Sequence, residues 1–405
     1  MISRREVLKS AGVAALGAAG GLSLSGLAAR AAETITLPFG NGERELVKYP
    51  GKRPLISLTA RPPQLETPFS VFNESLLTPN DAFFVRYHLA DIPLDIDPQT
   101  YRIDVKGLVD KPLSLSLDDL KSIHDPVEIV AAHQCSGNSR GFFEPRMAGG
   151  QSANGAMGNA RWKGVPLKAV LDKAGVKAGA VQVSFGGLDG PALPETPDFA
   201  KALDVDHARD GEVMIAYGMN GEDLPWLNGF PVRLVVPGWY GTYWVKHLNE
   251  ITVLDKPLDN FWMMKAYRIP DNDCACTEPG ELAKKTVPIN KFTIRSFITS
   301  VLDGDKVHAD VDLKLRGFAF DGGSGIKEVS VSVDGGNTWQ PTKLGEDLGK
   351  YSFREWTSTA NLAKGDHTLM VRATGNDGKT QPDKPLWNQS GYMRNVVEVT
   401  KIVAV

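Results

Sequence analysis

From Val307 to Leu315 apolar and polar side chains alternate without a break: Val307, Ala309, Val311, Leu313 and Leu315, with polar residues between them. A period of two is the spacing of a strand with one buried face, and it does not suit a helix. Val329, Val331 and Val333 repeat the pattern and run into Asp334-Gly335-Gly336, a hairpin signal. Leu369, Val371 and Ala373 repeat it before Gly375-Asn376-Asp377-Gly378, and Val397 and Val399 close the chain. Short alternating strands with turn punctuation over roughly a hundred residues predict a β-sandwich of immunoglobulin type.

A chain of 405 residues is too long for one comfortable core, so a second body is expected ahead of the sandwich. The pattern changes between Pro279 and Thr293, which places the division at 32–285 and 286–405. The first part mixes short strands with short helices, an α+β pattern. A proline-studded segment up to Pro79 reads as wrapping the surface. Strands are expected over Ala82–His88, Tyr101–Val105, Val127–Ala132, Val213–Tyr217 and Val232–Val236. Leu117, Leu120 and Ile123 predict a short helix after Ser116, a suitable N-cap. Leu167, Val170, Leu171 and Ala174 predict another, with Pro166 near its start and Gly175 as its stop.

The first 31 residues are excluded from the fold. Ser3-Arg4-Arg5-Glu6-Val7-Leu8-Lys9 resembles a twin-arginine export signal, and Ala29-Arg30-Ala31 gives an A-x-A cleavage site. The apolar stretch between them is rich in glycine and weakly hydrophobic, which speaks against a membrane span. Cleavage takes the formal charge from −3 to −6, because Arg4, Arg5, Lys9 and Arg30 leave against Glu6 alone. Such a balance excludes the basic surface of a nucleic-acid binder. The signal implies a periplasmic protein exported folded, often with a cofactor already inserted.

Three cysteines are an odd number for an exported chain. Cys274 and Cys276 can form a local disulfide, half of a metal site, or nothing; the plain reading takes them as two unrelated small residues. Cys135 has no evident partner. It follows an apolar strand and opens Cys135-Ser136-Gly137-Asn138-Ser139-Arg140. A buried structural thiol, a nucleophile with a distant histidine, and a thiolate ligand to a metal are all open. Gly137 favours a loop that approaches a ligand closely.

Arg86, Arg140, Arg233 and Lys246 lie near the ends of apolar segments, beside glycine, proline and histidine. The arginine fork suits oxyanions because it donates two hydrogen bonds and stays charged. Together these residues point to a site for sulfate-like or phosphate-like groups.

These segments resemble the sulfite oxidase family of molybdenum enzymes. The cysteine loop is similar to that family's Cys-Ala-Gly-Asn-x-Arg. Gly229-Phe230-Pro231-Val232-Arg233 with Val235-Val236-Pro237-Gly238 resembles its pterin-binding strand and turn, and Phe84-Val85-Arg86-Tyr87-His88 its Phe-x-Arg-x-His segment. Trp262 to Tyr267 resembles the stretch with its active-site tyrosine. Val333-Asp334-Gly335-Gly336 with Thr338-Trp339, and Pro385-Leu386-Trp387-Asn388, resemble its C-terminal sandwich, the family's dimerisation-type domain. The likeness runs in order along nearly all of the mature chain and is nearest to the molybdenum subunit of bacterial sulfite dehydrogenases.

The resemblance implies one molybdenum-molybdopterin per chain, with Cys135 as the metal ligand. It implies catalytic roles for Arg86, Arg140 and Tyr267, and cofactor contacts from His88, Arg233, Lys246 and, more weakly, Asp189. The reaction implied is oxidation of sulfite to sulfate by oxygen-atom transfer, with electrons passed singly to a c-type cytochrome, either a subunit or a soluble acceptor. Neither a cytochrome b5 segment ahead of residue 80 nor a Cys-x-x-Cys-His motif is present, so no haem is expected on this chain. A homodimer through the sandwich and a heterodimer with a cytochrome are both open.

Three positions depart from the family pattern. The tail reads Trp387-Asn388-Gln389-Ser390-Gly391 where an arginine often reaches the substrate, and Arg394 is a candidate to replace it. Asn228 stands where a histidine often precedes Gly-Phe-Pro, and a tryptophan expected between Arg140 and Trp162 is missing. An alternative reading is a sulfane-sulfur dehydrogenase of thiosulfate oxidation with the same cofactor. The sandwich argues against the methionine-sulfoxide-reducing relatives. A non-enzymatic exported binding protein would leave the cysteine and arginine segments without a reason to coincide.

Overall fold

The computed structural model describes residues 33–405, so the expected export signal lies outside the described residues. Residues Thr34–Val405 pack as one unit. The segment before Pro79 does not merely wrap the surface. Thr34–Thr36, Glu43–Val47, Leu55–Ala60, Pro63–Glu66 and Val85–Arg86 form a five-stranded antiparallel sheet in chain order. Leu55, Leu65 and Val85 bury themselves against Tyr87 to hold it. The strand expected over Ala82–His88 shortens to Val85–Arg86, whose pairing with Gln64 and Leu65 fixes Arg86 at the sheet's end.

Two more sheets make the body. One runs Ala200–Asp204, Gln182–Gly187, Leu248–Leu254, Ile103–Gly107 and Leu113–Leu115, and contains a parallel pair between Leu248–Leu254 and Ile103–Gly107. The other runs Glu222–Asp223, Met214–Met219, Met157–Pro166 and Val127–Gln134, with Arg233–Val235 added beside Met214–Met219. Both expected helices form. Leu117–Ile123 starts on a capping box in which Ser116 and Asp119 satisfy each other's backbone N–H groups. Leu167–Ala174 buries Leu167, Val170, Leu171 and Ala174, and stops at Gly175 in the left-handed region.

The C-terminal part is a two-sheet sandwich. Arg295–Ile298, Asp312–Phe320, Arg354–Asn361 and Lys343–Leu344 form one layer. Lys306–Val307, Glu398–Ala404, Gly365–Gly375, Ile326–Ser332 and Gln340–Pro341 form the other. Leu315, Val329, Val331, Trp356, Leu369 and Val371 fill the space between them. The alternation starts late: Val311 is exposed and the strand begins at Asp312.

Strand parity then explains how the sandwich joins the body. Leu315 and Ala319 point inward, so Phe318 and Phe320 point to the opposite face. There they meet Phe72, Phe297 and Phe353 in the core of the first part. The join is apolar and continuous with that core.

Cys274 and Cys276 are bonded to each other, which overturns their reading as unrelated residues. Ala275 between them adopts φ +49°, and this bend brings their Cα atoms to 5.1 Å, within disulfide reach. Cys135 is the free thiol. Among the described residues, no helix is long and apolar enough to cross a membrane.

Candidate active site

The strand Val127–Gln134 delivers Cys135 to the end of its sheet, where the Cys135 N–H donates to Ala156 O (2.9 Å). The loop then turns through Asn138, whose N–H returns to Cys135 O (3.0 Å) and whose Oδ1 accepts from Ala156 N–H (3.0 Å). Gly137 leaves room for the Arg140 guanidinium where it lies, because a Cβ would fall 2.6 Å from one of its terminal nitrogens and displace it. The thiol is half-buried at a junction: Phe84, Arg86, Cys135 and Tyr267 line both a wide cavity and a narrower cleft.

The wide cavity has a volume of about 310 Å³, at the lower end for small-molecule sites. Arg86 and Arg140 enter it from opposite chain segments. Arg86 donates to the Tyr267 hydroxyl (3.1 Å) and to Tyr87 O. Arg140 reaches Gly391 O, Ser390 O and Gly150 O at 3.3, 3.4 and 3.5 Å, long bonds to neutral acceptors. Arg140 with only neutral partners, and Arg86 beside the Cys135 sulfur, make a strong local attraction for an anion. Burial raises the Tyr267 hydroxyl above its usual range, although Arg86 works the other way, so it stays protonated as a donor. Its backbone sits at φ +56°, a costly conformation for a non-glycine residue, and the Ile289 N–H donates to Tyr267 O (2.8 Å) to hold it there.

The cleft collects basic groups. His88, His133, Arg233 and Lys246 line it with Ser136 and Thr242. Burial holds Lys246 down at about 7 and Arg233 at about 9. Burial, reinforced by neighbouring cations, pushes His88 and His133 well below the usual histidine range. Lys246 Nζ donates to Arg86 O (2.6 Å). Five buried polar atoms around the cleft make no hydrogen bond: His88 Nε2, His133 Nδ1, Ser136 Oγ, Arg233 Nε and Thr242 Oγ1. Each costs about 1–3 kcal/mol if left alone. A polar heterocycle carrying an anionic group would satisfy them and offset the cations. The donor set therefore fits a phosphate-bearing pterin, and the soft Cys135 sulfur beside it fits a metal such as molybdenum.

Supporting contacts fix the cleft. His247 Nδ1 faces Phe230 O (2.6 Å), which can only accept, so Nδ1 carries the proton and Nε2 accepts from the Tyr87 hydroxyl (2.7 Å). Burial holds His247 down at about 4, so it is neutral. His88 stacks on Phe199 with centroids 3.7 Å apart.

Seven of the eight sequence-derived site residues line these two spaces: Cys135, Arg86, Arg140, Tyr267, His88, Arg233 and Lys246. Asp189 does not line either. It is buried beside Lys246, and burial raises its carboxyl while the lysine opposes that rise. Asn228 braces the chain around it, since its Oδ1 accepts from Lys52 (2.5 Å) and its Nδ2 donates to Phe84 O (3.0 Å). Arg394 is no substitute for the missing arginine, since it pairs with Glu398 (2.8 Å) and lies over Phe142. Sequence reasoning missed His133, Ser136, Thr242 and Tyr392. His133 has a signal: it shares strand parity with Cys135 and so points to the same face. Tyr392 has none.

Comparison with known proteins agrees with this geometry. Residues 88–262 match the family described as oxidoreductase molybdopterin binding domain, and residues 286–403 match the Mo-co oxidoreductase dimerisation domain. The chain is 34% identical over 367 residues to mitochondrial sulfite oxidase of Homo sapiens, covering 85% of this chain and 65% of that protein. It therefore spans about two thirds of the length of the mammalian relatives. Sulfite oxidase of Gallus gallus is 32% identical, with 85% of this chain and 77% of that one covered. The crystal structure of the sulfane dehydrogenase SoxCD from Paracoccus pantotrophus superposes with a TM-score of 0.72 at 25% identity, covering 88% of this chain and 87% of that one. With a thiol set among orphaned donors, a cationic cavity beside it and a sandwich behind both, and with these matches along its length, the chain belongs to the sulfite oxidase family of molybdenum oxidoreductases.

Proposed function

We propose that the protein oxidises sulfite to sulfate, passing electrons singly to a c-type cytochrome in the periplasm. The observation that carries this reading is the cavity that ends on Cys135 with Arg86, Arg140 and Tyr267 on its walls. When bound, the molybdenum-molybdopterin supplies oxygen-atom transfer and takes up the two electrons. The chain supplies the rest. Cys135 is the thiolate ligand. His88, Arg233 and Lys246 hold the pterin and its phosphate, with Asp189 behind Lys246. Arg86 and Arg140 bind and orient the compact anion, and the Tyr267 hydroxyl donates to an oxygen of it. The body 32–285 is the catalytic part, and the sandwich 286–405 joins it to a second copy or leaves room for a cytochrome subunit.

A second reading is oxidation of a sulfane sulfur, as in the protein of similar structure. The serine at position 390 favours it, because that cavity wall lacks a third cation. One experiment separates the two. Cofactor-loaded, air-oxidised protein is titrated with stoichiometric sulfite while its thiolate-to-molybdenum band is followed. Bleaching that reverses with oxidised cytochrome c supports sulfite oxidation. A band indifferent to sulfite but bleached by a persulfide supports the sulfane reading. Cys135→Ser should lose the band and at least about 99% of turnover while keeping the fold; a fully active variant removes the assignment.

A further inference from the structure

Tyr392 belongs to no motif that stands out in the sequence, yet it shapes the wide cavity. Its ring lies parallel to that of Tyr267, with centroids 5.4 Å and planes 5° apart. The Arg140 guanidinium also lies over the Tyr392 ring, 5.0 Å from its centroid. The backbone aims this ring. The Tyr392 N–H donates to Asn388 Oδ1 (3.2 Å), and Asn388 Nδ2 donates to Tyr392 O (2.7 Å). Gly391 at φ +61° and Met393 at φ +56° bend the chain on either side of it. The Met393 N–H then donates to Ser136 O (3.2 Å), which ties the ring to the residue after Cys135.

Two residues earlier stands Ser390, where the resemblance leads one to expect an arginine. Ser390 turns its hydroxyl to Arg268 O (2.9 Å) and only its carbonyl to Arg140. This wall therefore presents an aromatic ring instead of a third guanidinium. The difference matters for Arg140. A carboxylate partner would cancel the arginine's charge and occupy its donors. A ring holds the guanidinium by its face, leaving for an oxyanion the charge and those N–H groups that the three long bonds to Gly391 O, Gly150 O and Ser390 O do not use.

We propose that Tyr392 is a positioning residue that sets oxyanion affinity, its ring stacking on Tyr267 and seating Arg140 in place of the tail arginine. This rests on the oxyanion-oxidising reading above, and the test keeps the two apart. Tyr392→Phe, Tyr392→Leu and Tyr392→Met are made in the full cofactor-loaded protein. Sulfite kinetics are measured, together with sulfate binding by calorimetry as a readout independent of turnover. The phenylalanine variant should keep KM within about twofold of the parent. The leucine and methionine variants should raise KM and the sulfate Kd in parallel by about fivefold, with kcat within about twofold. Unchanged KM and Kd in whichever of these two folds would overturn the proposal. So would a fall in kcat at constant KM, or a phenylalanine variant as impaired as leucine. If the parent binds sulfate but does not oxidise sulfite, the functional reading falls and the sulfate arm still judges Tyr392. A parent that does neither overturns both.

Discussion

Arg140 carries its charge into the cavity with only backbone carbonyls and one aromatic ring around it. Its attraction for an anion is therefore not cancelled by any neighbour it touches. Removing the charge while keeping a polar side chain isolates that contribution. Arg140→Gln should raise KM for sulfite about ten- to a hundredfold, the loss expected when one charge-assisted hydrogen bond is given up. Steady-state kinetics at fixed ionic strength checks this, and an unchanged KM would place the anion elsewhere. The converse change is Ser390→Arg on the same cavity wall. A third guanidinium should lower KM for sulfite and steepen its dependence on salt, because the added attraction is screened. A higher KM, or a salt dependence no steeper than the parent's, would mean that the arginine does not reach the substrate from this backbone.

The tail segment that carries Ser390 and Tyr392 is braced from outside by the loop of Cys274 and Cys276. The Thr277 N–H donates to Trp387 O (2.8 Å), and the Ala283 N–H donates to Gln389 Oε1 (2.6 Å). Asn272 spans the loop through Cys276 O (2.8 Å) and the Cys276 N–H (3.1 Å), so the disulfide is not its sole fastening. A ring this small removes little entropy from the unfolded chain. The Cys274→Ser/Cys276→Ser double variant should lose about 1.5 kcal/mol of stability. It should raise KM more than it lowers kcat, since the loop acts through the tail on Arg140. Chemical unfolding and kinetics check both; unaltered values for each would show that the tail stands without the brace. Elements of this kind mark where sequence reasoning stops. The helix Leu117–Ile123 and the strands around Leu315 and Val329 are legible because each carries a complete local pattern of cap or alternation. Cys135, Arg86 and Arg140 are legible only as parts of the ordered resemblance to the family, since each residue taken alone leaves an ordinary structural role open. The first four strands are not, because seven prolines between residues 33 and 79 break up a period of two. Tyr392 is invisible for another reason: its role is set by Arg140 and Tyr267, far away in sequence, and by two backbone bends that only the folded loop imposes.

Across the whole molecule, the body and the sandwich share an aromatic core, and the second sheet buries a lysine at its edge strand. Lys201 is fully enclosed, donates to Trp262 O (2.8 Å), and lies 4.7 Å from the ring centre of Tyr243 and 5.6 Å from that of Tyr267. The charged or titratable groups near it are Arg268, His88 and these two tyrosines; none is a carboxylate. Burial, with Arg268 adding to it, lowers Lys201 to about 7 from its ordinary 10.5. Between these two values the folded protein holds fewer protons than the unfolded chain, so the contribution of this residue to stability rises with pH across that window. Below pH 7 the full cost of enclosing the charge is present, and above 10.5 it is gone. Lys201→Met keeps most of the apolar stem and removes the titration. The variant should exceed the parent in stability most at pH 6 to 7, and the difference should shrink steadily toward pH 10.5. Loss of the bond to Trp262 O lowers the whole difference curve without tilting it, and other titrating groups cancel between the two proteins. Denaturant unfolding of both at pH 6.5, 8 and 9.5 measures the slope. A flat difference would mean that Lys201 keeps its ordinary proton affinity inside the fold, held there by the two rings and the carbonyl. A slope of the expected sign would show that enclosure makes Lys201 give up its proton more readily in the fold than in the unfolded chain, at a site 5.6 Å from the centre of the Tyr267 ring that Tyr392 stacks on and whose hydroxyl Arg86 binds.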